Sequence, residues 1–386
     1  LFYINSHGQV GIGTQAPTAL LTISNTASST LTKSTSNDFS VSGSTNTTGV
    51  STTSGQIMLN FTGSTTILAG GGGNFTAGPA IVGTGGGGSA YGGSHSIQRP
   101  DGKFLVILGN NSNTASTSLY DPLSNTFTAG PAIVGTGGNS PYFGSHSIQR
   151  PDGKFLVILG NGTSNTSVYD PLNNNFTAGP AIVGTGGSNA SYGSHSIQRP
   201  DGKFLVVLGF ETANTSLYDP LSNTFTAGPA IVGTGGNIAS FGSHSIQRPD
   251  GKFLVVLGNG TATTSIYDPL SNTFTAGPAI VGTGGNNASV SSHSIQRPDG
   301  KFLVVLGNGT ATTSIYDPLS NTFTAGPAIV GTGGNNAEGS SHSIQRPDGK
   351  FLVVLGRNTA NTSLYDPVSN TFTAGPAIVG TGGNGA

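Results

Sequence analysis

Residues 95–109 read HSIQRPDGKFLVILG. With at most one Ile exchanged for Val, this stretch occurs six times, beginning at His95, His146, His195, His244, His293 and His342. In the first copy SHSIQ (Ser94–Gln98) alternates, placing His95 and Ile97 on one side of a strand. RPDGK is a turn, because Pro100 presets φ and Gly102 accepts a positive φ. KFLVIL (Lys103–Leu108) is a continuous apolar run, as expected of a strand covered on both faces. A polar stretch follows, then TSLYD (Thr117–Asp121), a DPLSN turn, and the short strand TFTAG (Thr126–Gly130), which Pro131 ends. The unit predicts four short strands joined by tight turns.

A second phrase, FTAGPAIVGTGG, occurs seven times, opening at Phe75, Phe127, Phe176, Phe225, Phe274, Phe323 and Phe372. The first interval is 52 residues and the next five are 49. A period near 50 marks a supersecondary unit stacked on copies of itself. A four-stranded sheet that buries both faces needs neighbours on both, and radial stacking supplies them with few free edges. The expected fold is all-β: a seven-bladed β-propeller of four-stranded antiparallel blades spanning residues 46–386. Six blades are complete repeats. The seventh is a degenerate first blade, SGQIMLNFTGSTTILAGGGGNFTAGP (Ser54–Pro79), without the His strand or the Asp-Pro turn. The runner-up count is six. Residues 1–45 form a Ser/Thr/Gly-rich extension.

The phrase HSIQRPDGKFLVVLG…TSIYDPLSNTFTAGP resembles the bacterial kelch repeat, with its DGK turn, apolar second strand, YDP…N turn and aromatic in the fourth strand. The resemblance covers roughly residues 87–386. It departs at Leu108-Gly109, where Gly-Gly is usual, and at Phe127 and its equivalents, where Trp is usual. HGQVGIGTQAPTALLTI (His7–Ile23) is similar to segments of phage tail fibres and large bacterial surface proteins. That likeness implies a fibrous setting in which residues 1–45 pair with another subunit.

Composition narrows the function. Only 8% of residues are charged and the formal net charge is −1. No Lys/Arg-rich run gives a nucleic-acid footprint, and no apolar run is long enough to span a bilayer. The chain opens at Leu1 and is read as a processed protein or a piece of one. With no cysteine, thiolate chemistry is excluded. So is the crosslinked Tyr-Cys copper centre of the kelch-type enzymes that oxidise galactose. Each complete unit carries one Arg, one Lys and two Asp, such as Arg99, Asp101, Lys103 and Asp121, in or beside its turns. Such repeated charges suit local pairing rather than one catalytic site. The repeated histidines suit packing between blades, since metal ligands must converge within about 2.0–2.1 Å of an ion. No catalytic residue, metal site or cofactor is expected, and the chain is read as not an enzyme.

Variation among the copies is lopsided. Alternating strand direction puts the first-to-second and third-to-fourth turns at one end, and these hardly change. The second-to-third loops and inter-blade stretches lie at the other end and differ widely. The repeat region's only non-repeat charges, Glu211, Glu338 and Arg357, fall there, with the aromatics Tyr91, Tyr142, Phe143, Tyr192, Phe210 and Phe241. Aromatic planes beside Asn, Ser and Gly suit adaptable polar recognition. The expected function is therefore a non-enzymatic extracellular protein of a cell surface, fibre or filament, presenting this face to a glycan or protein. Two other readings are a purely structural filament subunit docking through residues 1–45, and a carbohydrate-active enzyme with an unrecognised site.

Overall fold

The computed structural model describes five strands within residues 2–61, then residues 74–84, and residues 91–379 apart from 110–114, 136–139 and scattered loop positions. Contacts divide the chain into two units, Leu1–Gly71 and Gly72–Ala386. In the first unit β1 (Phe2–Ile4) pairs antiparallel with β2 (Val10–Ile12), which pairs parallel with β3 (Leu21–Ile23). There, too, β4 (Thr47–Thr53) and β5 (Gln56–Phe61) form an antiparallel two-stranded sheet.

The second unit is an all-β propeller of six four-stranded antiparallel blades, with no α-helix among the described residues. The first blade is β6 (Tyr91–Gln98), β7 (Phe104–Gly109), β8 (Thr117–Asp121) and β9 (Thr126–Ala129), hydrogen-bonded in that order. Five more follow with the same pairing, at residues 146–178, 195–227, 244–276, 293–325 and 342–374. The expectation of seven blades is thereby corrected to six. The supposed degenerate blade lacks the His strand and the Asp-Pro turn that set the first and third-to-fourth strands elsewhere. Its apolar run IMLNF pairs with β4 in a two-stranded sheet instead. Its residues 62–73 lie outside the described residues.

The repeated phrases form the elements their chemistry dictates. In RPDGK the Arg99 amide donates to the Lys103 carbonyl at 2.8 Å, and Gly102 takes φ +82°. In DPLSN, Asp268 Oδ1 accepts from the Leu270 amide at 2.9 Å, an Asx-type turn that Asn272 closes at φ +55°. The run FLVVL is apolar throughout because alternate residues serve different junctions. Leu205 and Val207 pack forward against Val255, Leu257, Tyr267 and Phe274 of the fourth blade. Val206 and Leu208 pack backward against Ile148, Leu156 and Ile158 of the second. All four strand residues are fully buried. The third blade thus has no core of its own and shares one with each neighbour.

Polar bonds repeat across the same junctions. Arg199 lies in the third blade and reaches the fourth, donating to the Tyr267 hydroxyl at 2.7 Å and to Asn272 Oδ1 at 2.5 Å. The Ser216 hydroxyl donates at 2.7 Å to the carbonyl of Val183, which lies in the connector from the second blade.

Candidate functional site

Antiparallel order within every blade brings the variable loops to one end. There the second-to-third loop bridges to the stretch entering the next blade: Thr163 to Ala190, Thr212 to Ala239, Thr261 to Ala288 and Thr310 to Ala337. The two variable sets are therefore knitted into one surface. The RPDGK and DPLSN turns occupy the opposite end.

Four of the aromatics singled out in the sequence are brought together there. Tyr142 and Phe143 enter the second blade, Tyr192 the third and Phe241 the fourth. Ring centroids lie 4.4 Å apart for Tyr142–Phe143, 4.6 Å for Phe143–Tyr192 and 4.0 Å for Tyr192–Phe241. Phe143 also meets Phe241 edge-on at 6.4 Å. The rings are half-buried, so they stack on one another while keeping part of their surface in solvent. Glycine makes this spacing feasible. A Cβ on Gly193 would sit 1.8 Å from the Ser240 carbonyl oxygen, and its φ is +76°. The backbone next to Tyr192 thus runs against the following blade, carrying its ring to Phe241.

Tyr91 opens β6, where its backbone pairs with Gly109. Glu211 stands in the second-to-third loop of the third blade at φ +58°, where the second blade has Gly162 at +65°. Its amide donates to the Ala239 carbonyl at 3.0 Å. Phe210, Glu338 and Arg357 lie outside the described residues.

The first strand of every blade carries a histidine. In the first five blades Nδ1 lies 2.9–3.0 Å from the carbonyl oxygen two residues earlier, as His195 does from Gly193. Each Nε2 is buried without a hydrogen-bond partner. Burial lowers the pKa of all five rings, against the opposing backbone hydrogen bond. It lowers His146, His244 and His293 to about 4, with a further contribution from neighbouring histidines. A neutral ring with Nδ1–H donating to the carbonyl leaves Nε2 as the acceptor. Among the described residues no group of three His, Asp or Glu side chains is placed to hold a metal ion.

The repeated charges pair within each unit. Arg199 meets Asp201 at 3.0 Å and Lys203 meets Asp219 at 3.2 Å. Sequence reasoning missed the second task of these arginines, the bond to the next blade. It also missed shallow clefts between successive blades at the constant end. One of about 420 Å³ is lined by Ser196, Gln198, Arg199, Ser245, Gln247 and Phe253. Their invariance hid both features, since the search for a site followed variation.

No protein-family description matches this chain, and no curated protein matches its sequence. The kelch and tail-fibre resemblances therefore rest on the quoted residues alone. A solved structure shares the fold. A fungal alcohol oxidase of the AA5 family, in complex with copper, superposes with a TM-score of 0.55 at 20% identity, covering 80% of this chain and 67% of that one. Hydrazine synthase of Kuenenia stuttgartiensis gives 0.48 at 16% identity, over 74% and 80% of the two chains. The first likeness corrects the reading that the chain is not an enzyme: an oxidase is built on this fold, which is compatible with catalysis as well as with binding. The chain has no cysteine, and among the described residues no three His, Asp or Glu side chains converge.

Proposed function

We propose that the chain is a recognition module of a cell surface, fibre or filament, working outside the cell and binding a glycan through its variable loop face. The observation that carries this reading is the convergence of Tyr142, Phe143, Tyr192 and Phe241, from three blades, into one partly exposed aromatic cluster. Ser191 and Ser194 flank Tyr192 in the sequence, and Ser240 and Ser243 flank Phe241. Aromatic surface for the apolar face of a sugar ring, beside hydrogen-bonding groups for its hydroxyls, is a workable combination. The kelch-like phrases and the fibre-like segment His7–Ile23 support the same setting.

The test is retention on a panel of immobilised oligosaccharides, using the wild-type chain, Tyr192→Ala and Phe241→Ala. The reading predicts saturable retention that each substitution lowers at least about tenfold, while thermal unfolding still begins from a folded state. Retention unchanged by both substitutions contradicts it.

A further inference from the structure

The constant end carries a second feature, away from the aromatic cluster. First strands of adjacent blades run beside each other, as Tyr91–Gln98 does with His146–Gln149 and His195–Gln198 with His244–Gln247. They therefore form the inner edge of the propeller. At the RPDGK end of this edge, three successive junctions hold the same cleft. Its volume is about 420 Å³ between the third and fourth blades, 460 Å³ between the fourth and fifth, and 380 Å³ between the fifth and sixth. In the middle one, Ser245 and Gln247 of the fourth blade face Ser294 and Gln296 of the fifth, with Pro249 and Phe302 beside them.

The chemistry of the lining selects a ligand class. Each cleft has one charged side chain, an arginine, and it is already engaged. Arg248 donates through Nε and Nη2 to Asp250 at 3.2 and 3.0 Å, and through Nη1 to the Tyr316 hydroxyl at 3.0 Å and Asn321 Oδ1 at 2.5 Å. Four of its five N–H groups are thus used and its charge is met, so an anion gains little there. No carboxylate lines any of the three clefts, so a cation finds no partner. The serine hydroxyls and glutamine amides differ. Ser245, Gln247, Ser294 and Gln296 make no side-chain hydrogen bond among the described residues, and both glutamines are exposed. They offer donors and acceptors together, which is what a ligand hydroxyl takes and gives. The edges of proline and phenylalanine supply apolar surface for a C–H face.

We propose that these clefts are equivalent subsites for a neutral saccharide, one sugar residue in each. Their size is that of small-molecule sites, and their polar groups are uncharged and free. Single subsites of this kind are weak, and a polymer that reaches several gains by effective concentration. This site is independent of the loop face: it lies at the opposite end and uses none of the aromatic cluster.

The experiment observes glutamine side-chain amides by NMR on the full chain labelled with nitrogen-15. The probes are the methyl glycosides of glucose, galactose, mannose and N-acetylglucosamine, with anionic methyl glucuronide for comparison. The Gln247 and Gln296 amides are expected to shift saturably with at least one neutral glycoside, with a Kd on the order of millimolar, and at least about tenfold more weakly with the uronide. Gln247 lines two clefts and Gln296 lines two, so together they touch all three. The double variant Gln247→Ala, Gln296→Ala should weaken binding, followed at Gln198 and Gln345, at least about tenfold. It stays folded, because both side chains are exposed. Tyr192→Ala leaves the glutamine shifts in place, whatever it does to retention by the loop face. Amides unmoved by every neutral glycoside up to roughly 100 mM, where a millimolar site is saturated, overturn the proposal. So do equal responses to the uronide, or binding that survives the double variant and is lost in Tyr192→Ala.

Discussion

At the scale of single residues, the copies act as controls for one another. Glu211 occupies a left-handed backbone position that Gly162 and Gly260 fill in neighbouring blades. A residue with a Cβ is disfavoured there by roughly 1–2 kcal/mol, so Glu211→Gly is expected to stabilise the chain by about 1 kcal/mol in urea unfolding. The greater freedom of glycine in the unfolded chain trims that gain. No gain, or a loss, means that Glu211 makes a compensating contact. The junction tyrosines offer a second comparison. Tyr267 is fully buried and its hydroxyl accepts from Arg199 and donates to Asn272, whereas among the described residues the Tyr120 hydroxyl meets only Asn125. Tyr267→Phe should cost about 1–3 kcal/mol, because it strips a partner from a partly buried guanidinium, and Tyr120→Phe should cost a few tenths. Equal costs contradict the picture of an unmatched first blade. At this scale the sequence was legible where a residue has one task, as Pro100 and Gly102 do in their turn. It was illegible where one residue serves two. Arg99 beside Asp101 explains its own conservation among copies as a local pair, which hides its reach to Tyr169 some 70 residues on.

At the scale of strands and blades, periodicity carried the prediction. The four strands per unit, their turns and the double-sided burial of FLVVL follow from alternation, Pro and Gly. The blade count did not, because an apolar run like IMLNF satisfies a strand in any sheet and says nothing of which sheet it joins. The histidine strands have a measurable consequence. In the unfolded chain their imidazoles titrate near 6.5, while burial lowers His146, His244 and His293 to about 4. Between those values the unfolded state binds more protons than the folded one, so stability falls as pH falls through 6.5 and keeps falling towards 4. Three such groups, each contributing roughly 2 kcal/mol by pH 5 on a scale of 1.36 kcal/mol per pKa unit, predict a drop of several kcal/mol between pH 7 and pH 5. The lowered carboxylates, such as Asp268 beside Lys252, lose their contribution only at lower pH. Urea unfolding at both pH values tests this, and His244→Gln should make the dependence shallower. Equal stability at pH 7 and 5 contradicts it.

At the scale of the whole molecule, the second unit behaves as a quasi-one-dimensional array in which each blade is stabilised by its neighbours. The candidate face was legible as the end where copies differ, yet the convergence of the four rings was not. It depends on Gly193 letting the backbone of one blade lie against Ser240 of the next. The sequence reading expected radial stacking to give each blade neighbours on both faces. In the structure five junctions are interlocked, while Ile344 is exposed and Tyr120 only partly buried. The central claim is that junctions, not individual blades, hold this protein together. Amide hydrogen exchange on the dilute chain, followed peptide by peptide, tests it most directly. Strands of the third and fourth blades, flanked on both faces, should be protected longest. Strands at residues 91–129 and 342–374, flanked on one face among the described residues, should exchange at least about tenfold faster, as expected of segments that open at lower free energy. Uniform protection across all six blades would contradict this account.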